Sequence, residues 1–182
     1  MNEPVLVSIK IPKNLQIINR KNIEKKDINK FIIPSSITKL DDCCFYKCSS
    51  LTSIKIPSSI NELGNCCFYE CSSLTSINIP TSITKIGDEC FYGCSSLISI
   101  NIPSPINELR YRCFKECLSL TSINIPASIT KIGDYCFSYC SSLKSINIPS
   151  SITLFRRGCF YKCGCEEELK QNKRIPRDCF EL

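Results

Sequence analysis

Apolar and polar positions along this chain follow one pattern that returns every 23 residues. In the copy beginning at Ile79 it reads I-P-T-S-I-T-K-I-G-D-E-C-F-Y-G-C-S-S-L-I-S-I-N. Prolines at 34, 57, 80, 103, 126 and 149 keep the phase, and so do phenylalanines at 45, 68, 91, 114, 137 and 160. Leu74 and the alternation Ile77-Asn78-Ile79 predict a short strand with one face inward, which β-branched isoleucine suits. Pro80 ends it, because proline cannot donate to a ladder. Ile83 and Ile86, three apart, predict the inner side of a loose turn. Gly87-Asp88 predicts a bend, after which Cys90-Phe91 returns to the core. One unit cannot bury its apolar face alone, so the copies must stack. Seven strands about 4.8 Å apart would give a sheet on the order of 30 Å along the stack.

The pattern L-x-x-I-x-I-P-x-x-I-x-x-I-G-x-x-C-F-x-x-C resembles the BspA-like class of leucine-rich repeats over about residues 28 to 165. Looser matches stand at Leu6-Val7-Ser8-Ile9-Lys10-Ile11-Pro12 and Ile175-Pro176. The resemblance implies an α/β-type repeat solenoid dominated by β: right-handed, with a parallel sheet on the concave face and loops or short 3₁₀ turns on the convex face. It also implies protein binding or adhesion. The chain departs from the family before each phenylalanine, where alanine is usual and cysteine stands here. A single domain over 1–182 is expected, with a degenerate, lysine-rich repeat as N-terminal cap (1–27), regular repeats (28–165) and a C-terminal cap (166–182). If that last segment left the final strand uncovered, the open edge would pair with another copy, giving a homo-oligomer through an end.

Composition changes this picture in two ways. There is no histidine, which removes the commonest general base and metal ligand together. The net charge of +6 is modest, and the basic residues Lys10, Lys13, Arg20, Lys21, Lys25, Lys26 and Lys30 read as a solvated cap rather than a nucleic-acid site. No stretch approaches the roughly 18 apolar residues of a membrane span. Val5-Leu6-Val7 is too short for a signal-peptide core, so a cytoplasmic location is expected unless a leader has been removed.

Sixteen cysteines allow three readings. Two series keep the repeat clock: Cys44, Cys67, Cys90, Cys113, Cys136 and Cys159, then Cys48, Cys71, Cys94, Cys117, Cys140 and Cys163. A disulfide framework and zinc sites on the CxxxC pairs are the chemical readings. Strict phase favours a third, a reduced ladder of small buried side chains. Cys43, Cys66, Cys165 and Cys179 fall outside the series. If Cys43-Cys44 and Cys66-Cys67 are extended, both members cannot point inward, which makes Cys43 and Cys66 the candidate reactive thiols.

Varied positions are where a repeat protein meets its partner. The outward strand positions Ser76, Asn78, Ser99, Asn101, Ser122, Asn124, Ser145 and Asn147, with Ser53 and Lys55 before them, form a polar, nearly uncharged strip on the concave face. It serves either a partner or ladder hydrogen bonds between coils. A second candidate is the repeat from Pro103 to Ile125, the most divergent: Pro105 replaces serine, Arg110-Tyr111-Arg112 replaces the bend, and Leu118 replaces serine. With nearby Ile98 these residues would form an apolar and cationic patch. Tyr46, Tyr69, Tyr92, Lys115, Ser138 and Tyr161 form a further line, either an interface or rings lying over adjacent turns. Lys39, Glu62, Lys85, Glu108 and Lys131 alternate in sign and predict stabilising contacts between coils.

No phosphate loop, nucleophile–base pair or cofactor motif is legible, so no catalytic residue, metal or cofactor is assigned. The expectation is a non-catalytic protein-interaction scaffold. By analogy with the wider leucine-rich-repeat class, a cytosolic signalling enzyme such as a phosphatase is one kind of partner. A cell-surface adhesin is the alternative.

Overall fold

The structure, a computed structural model, describes residues 15–18, 21–23, 30–33, 35 and 37–182. The loose repeat at Leu6 to Pro12 and the side chains of the N-terminal basic residues lie outside the described residues. Leu15–Ile18 pairs antiparallel with Lys21–Ile23 within the expected N-terminal cap.

From Lys30 onward the chain winds as a solenoid. Its main sheet stacks Lys30–Ile32, Ser53–Lys55, Ser76–Asn78, Ser99–Asn101 and Ser122–Asn124 in parallel and in coil order. Each Ile–Ile pair is in register, as 23-residue periodicity with an inward middle residue requires. Among the described residues the sheet has five strands; a further one expected around Ile9 lies outside them. Residues 145–147 carry no strand, and the coil that would follow them is replaced by the Cys163-Gly164-Cys165 cap.

The loose turn expected at Ile83 and Ile86 is instead a second set of parallel pairings. Lys39–Leu40, Glu62–Leu63 and Lys85–Ile86 form one three-stranded ladder; Glu108–Leu109, Lys131–Ile132 and Leu154–Phe155 form another. Beside it, Ser59, Ser82, Ser128 and Ser151 each donate Oγ–H to the carbonyl of residue i−22, at 2.6–2.9 Å.

The opposite side consists of tight turns closed by N–H bonds to the carbonyl three residues back, as from Tyr46 to Cys43 and from Cys48 to Phe45. Two columns in every coil take a left-handed backbone: Cys43, Cys66, Glu89, Arg112, Tyr135 and Gly158, then Lys47, Glu70, Gly93, Glu116, Tyr139 and Lys162. A side chain there costs about 1 kcal/mol or more. The conformation aims each N–H along the stack, as when Cys43, Phe45 and Lys47 donate to the carbonyls of Asn65, Cys67 and Tyr69 at 2.7–2.8 Å. The inter-coil bonds offset the strain.

Between these walls lies a dry core. The six phenylalanines are fully buried and stack face to face, with centroids 5.2–5.9 Å apart and planes within 5°. Both cysteine series are buried and unbridged. The second series also makes polar contacts, since Cys71, Cys94, Cys117 and Cys140 donate Sγ–H to the carbonyls of Phe45, Phe68, Phe91 and Phe114 at 3.0–3.1 Å.

The C-terminal end is closed. Arg174 stands one period after Ser151, and its guanidinium takes over the serine's role, donating to the carbonyls of Pro149, Ser150 and Ile152 at 3.2, 3.1 and 2.8 Å. Phe180 meets the last core ring, Phe160, at 6.3 Å. Replacing Arg174 with alanine strips these donors from the last coil. We expect a loss of about 1.5–3 kcal/mol, read as faster amide exchange confined to the final coil and cap. Uniform acceleration through the stack would argue against a capping role.

Candidate functional site

The structure presents the main sheet's outer face as the sequence led us to expect. Ser76, Asn78, Ser99, Asn101, Ser122 and Asn124 are exposed, while Ile77, Ile100 and Ile123 between them are buried. Ser145 and Asn147 are exposed too, but outside the ladder. Part of the strip bonds to itself: the Asn124 amide donates to Asn101 Oδ1 at 3.1 Å, and Thr121 Oγ1 donates to the Ile98 carbonyl at 3.1 Å.

The divergent repeat does not form one patch. Ile98 and Leu118, 53% and 46% exposed, lie on segments that lead into strands of the main sheet. Arg110-Tyr111-Arg112 follows the second ladder, with buried Phe114 between it and Leu118. Nor are its arginines free. Arg110 reaches Asp88 at 3.1 Å and Glu108 at 2.5 Å. Arg112 reaches Glu89 at 3.3 Å and lies over the rings of Tyr111 and Tyr135. Burial works against the charge on Glu108, yet Lys131 and Arg110 together hold its carboxyl below the usual range.

Sequence reasoning missed a cleft here. The second ladder breaks between Lys85–Ile86 and Glu108–Leu109, leaving an opening of about 270 Å³ lined by residues including Glu62, Lys85, Asn107 and Arg110. Two substitutions coincide with it. Pro105 sits in the serine column and cannot donate to Ile83. Arg110 sits in the glycine column, where coils approach too closely for a side chain: a Cβ on Gly87 would stand 2.5 Å from the Gly64 carbonyl carbon. Arg156 occupies the same column as Arg110, yet its ladder stays paired, and there Ser151 keeps its hydroxyl bond. Loss of the serine donor at Pro105 is thus a difference that coincides with the open ladder. The alternating charges follow suit: Lys39–Glu62 and Lys131–Glu108 lie at 4.0 and 3.0 Å, whereas Lys85 makes no ion pair among the described residues.

On the turn side, Tyr46, Tyr69 and Tyr92 stack on one another, half-buried, with centroids 4.6–4.8 Å apart. Lys47 lies over the rings of Tyr46 and Tyr69. The line ends as a ribbon, since Ser138 is buried and Lys115 replaces a ring. Cys43 is exposed and Cys66 partly so, because their left-handed backbones turn them out of the core. Burial, together with Cys43 and Glu89 nearby, pushes the Cys66 thiol up to about 12, which makes it a poor nucleophile.

Among the described residues no group of three or more cysteines, aspartates or glutamates could hold a metal ion, and no helix is long and apolar enough to cross a membrane. No curated protein matches the chain in sequence. Its fold is similar to solved bacterial proteins. A leucine-rich repeat protein of T. pallidum matches with a TM-score of 0.68 at 23% identity, over 80% of this chain and 83% of that one. One from Bacteroides ovatus gives 0.62 at 27%, over 88% and 50%. A leucine-rich cell surface protein of Faecalibacterium prausnitzii gives 0.65 at 26%, over 75% and 46%. The chain thus spans about half the length of the last two. The family described as BspA type leucine rich repeat region matches in six copies, over residues 2–80 and 61–182. With period, buried columns and sheet in agreement, the chain belongs to the BspA-type leucine-rich repeat family.

Proposed function

We propose that this protein is a non-catalytic scaffold that holds a protein partner on the open face of its five-stranded sheet. The observation that carries this reading is the division of labour among its faces. From Ser76 to Asn124 the sheet exposes an uncharged strip of short side chains, while the second ladder and the turn side carry the charges, several of them paired between coils. Short side chains lose little rotamer freedom on binding, and Ile98 and Leu118 offer apolar anchors at the margin. Unbridged cysteines throughout favour a reducing compartment, where a signalling enzyme such as a phosphatase is the kind of partner to look for. A second reading, a cell-surface adhesin, draws on the description of the Faecalibacterium protein as a cell surface protein. Pairing of copies through an end is compatible with either reading, although Arg174 and Phe180 already cover part of the last coil.

The deciding experiment is a pull-down from host-cell cytosol in reducing buffer with two folded variants. Asn101→Arg with Asn124→Arg should lose the partner, and Leu118→Asp should weaken it. Equal recovery by all three proteins would move the working surface elsewhere. Absence of any saturable partner would favour the adhesin.

A further inference from the structure

We propose that Cys163 and Cys165 form a redox-active dithiol, a modification site that takes a hydroperoxide as oxidant and closes to a disulfide. Three observations lead there. Four successive cysteines of the second series, Cys71 to Cys140, donate their thiols to a phenylalanine carbonyl one coil back. By that register Cys163 would bond Phe137; instead its Sγ lies 3.6 Å from Sγ of Cys165. Of these ladder thiols it is the one turned toward another cysteine two residues away.

The residue between them permits this. A Cβ on Gly164 would collide with the Ser141 carbonyl oxygen and stand 2.9 Å from that of Leu143, so only glycine lets the chain turn here and bring both thiols to one side. Gly164 between them is exposed, while Cys163 and Cys165 are 5% and 3% exposed, so only a small oxidant is a candidate.

The two thiols also differ in character. The contact with Cys163 holds the Cys165 thiol below its usual range, whereas the same contact and burial push Cys163 above it. Cys165, the thiol held lower, is assigned as the attacking group and Cys163 as the resolving one. Exposure alone would have selected Cys43 and Cys66, but burial and the neighbouring Cys43 and Glu89 oppose ionisation of Cys66.

The Cys165 thiolate attacks one peroxide oxygen; an S–O bond forms, the O–O bond breaks, and the leaving oxygen takes a proton. The sulfur is oxidised by two electrons and the peroxide reduced. Cys163 then loses its proton and attacks the sulfenic sulfur, forming S–S and expelling hydroxide, which that proton converts to water. Two thiols and one hydrogen peroxide give a disulfide and two waters. The sulfurs close from 3.6 Å to about 2.05 Å, tethering the last ladder position to the cap.

Trypsin makes the test direct, because cleavage after Lys162 and Lys170 releases residues 163–170 with these two cysteines and no others. The reduced, folded full chain is treated with substoichiometric hydrogen peroxide, alkylated, digested and weighed. The 163–170 peptide is expected to lose two hydrogens and escape alkylation about tenfold faster than Cys43 or Cys66 is blocked. In a Cys163→Ser variant, dimedone should trap a sulfenic acid at Cys165; Cys163→Ala serves if serine disturbs folding. A 163–170 peptide that stays doubly alkylated while other thiols react overturns the proposal. So does oxidation of Cys165 straight to sulfinic acid with no disulfide.

Discussion

Raising the pH from about 8 to about 10 in reducing buffer is expected to unfold this protein. The cause is the cysteine ladder. Burial raises the thiols of Cys67, Cys71, Cys90, Cys94, Cys113, Cys117, Cys136, Cys140 and Cys159 above the ordinary value of 9.0. In the folded chain these groups keep their protons; in the unfolded chain they shed them above the ordinary value. The unfolded state then binds fewer protons, so stability is intact below about pH 9 and falls as pH climbs past it. One pH unit above the unfolded value, each thiol costs about 1.4 kcal/mol. Nine together amount to on the order of 10 kcal/mol, comparable to the whole stability of a typical domain. Circular dichroism against pH, with return to pH 7 as the reversibility control, measures it. A Cys90→Ala, Cys113→Ala, Cys136→Ala variant should hold its fold to higher pH; an unchanged midpoint would show that the thiols are not responsible.

Truncating the phenylalanine stack should cost less but still weaken the fold severely. Phe114→Ala removes a fully buried ring that stacks on Phe91 at 5.5 Å and on Phe137 at 5.6 Å. The coil cannot collapse into the space, because its turns are bonded to both neighbours. We expect a loss of about 3–5 kcal/mol in urea denaturation, with the slope unchanged if unfolding stays cooperative. Phe160→Ala, near the cap, should cost less, since that ring is stacked on only one side and tilted against Phe155 and Phe180. Equal losses at the two positions would contradict the stack as a source of stability.

How far these features are legible in the sequence depends on whether a residue's role follows its position in the unit. Inward isoleucines, stacked phenylalanines and buried cysteines all follow the 23-residue clock, so reading one copy reads the core. The second ladder escaped because its strands are two residues long, and Ile83 and Ile86, three apart, look like a turn. The left-handed columns escaped for another reason. Glycine marks only Gly93 and Gly158, while inter-coil bonds force cysteine, glutamate, arginine, tyrosine and lysine into the same conformation. Arg174 was within reach: counting one more period past Ser151 lands on it, although its chemistry differs from serine. At the candidate site, the exposed strip was legible from alternation alone. The separation of Leu118 from Arg110-Tyr111-Arg112 was not, because it depends on where the chain turns back past Phe114.

The bonds between coils bear on how such a chain changes over generations. Turn N–H groups reach forward to the next coil and second-ladder N–H groups reach back, so each coil offers its successor what it received from its predecessor. Recombination that adds or deletes one whole unit keeps this pattern of backbone bonds, though one unit alone sets like charges together in the Lys39–Glu62 column, whereas a partial unit breaks the phase of all columns at once. Copy number is thus the coordinate along which the regular part of this fold can change, and Arg174, whose guanidinium stands where the column has serine, marks where that column loses its regular chemistry.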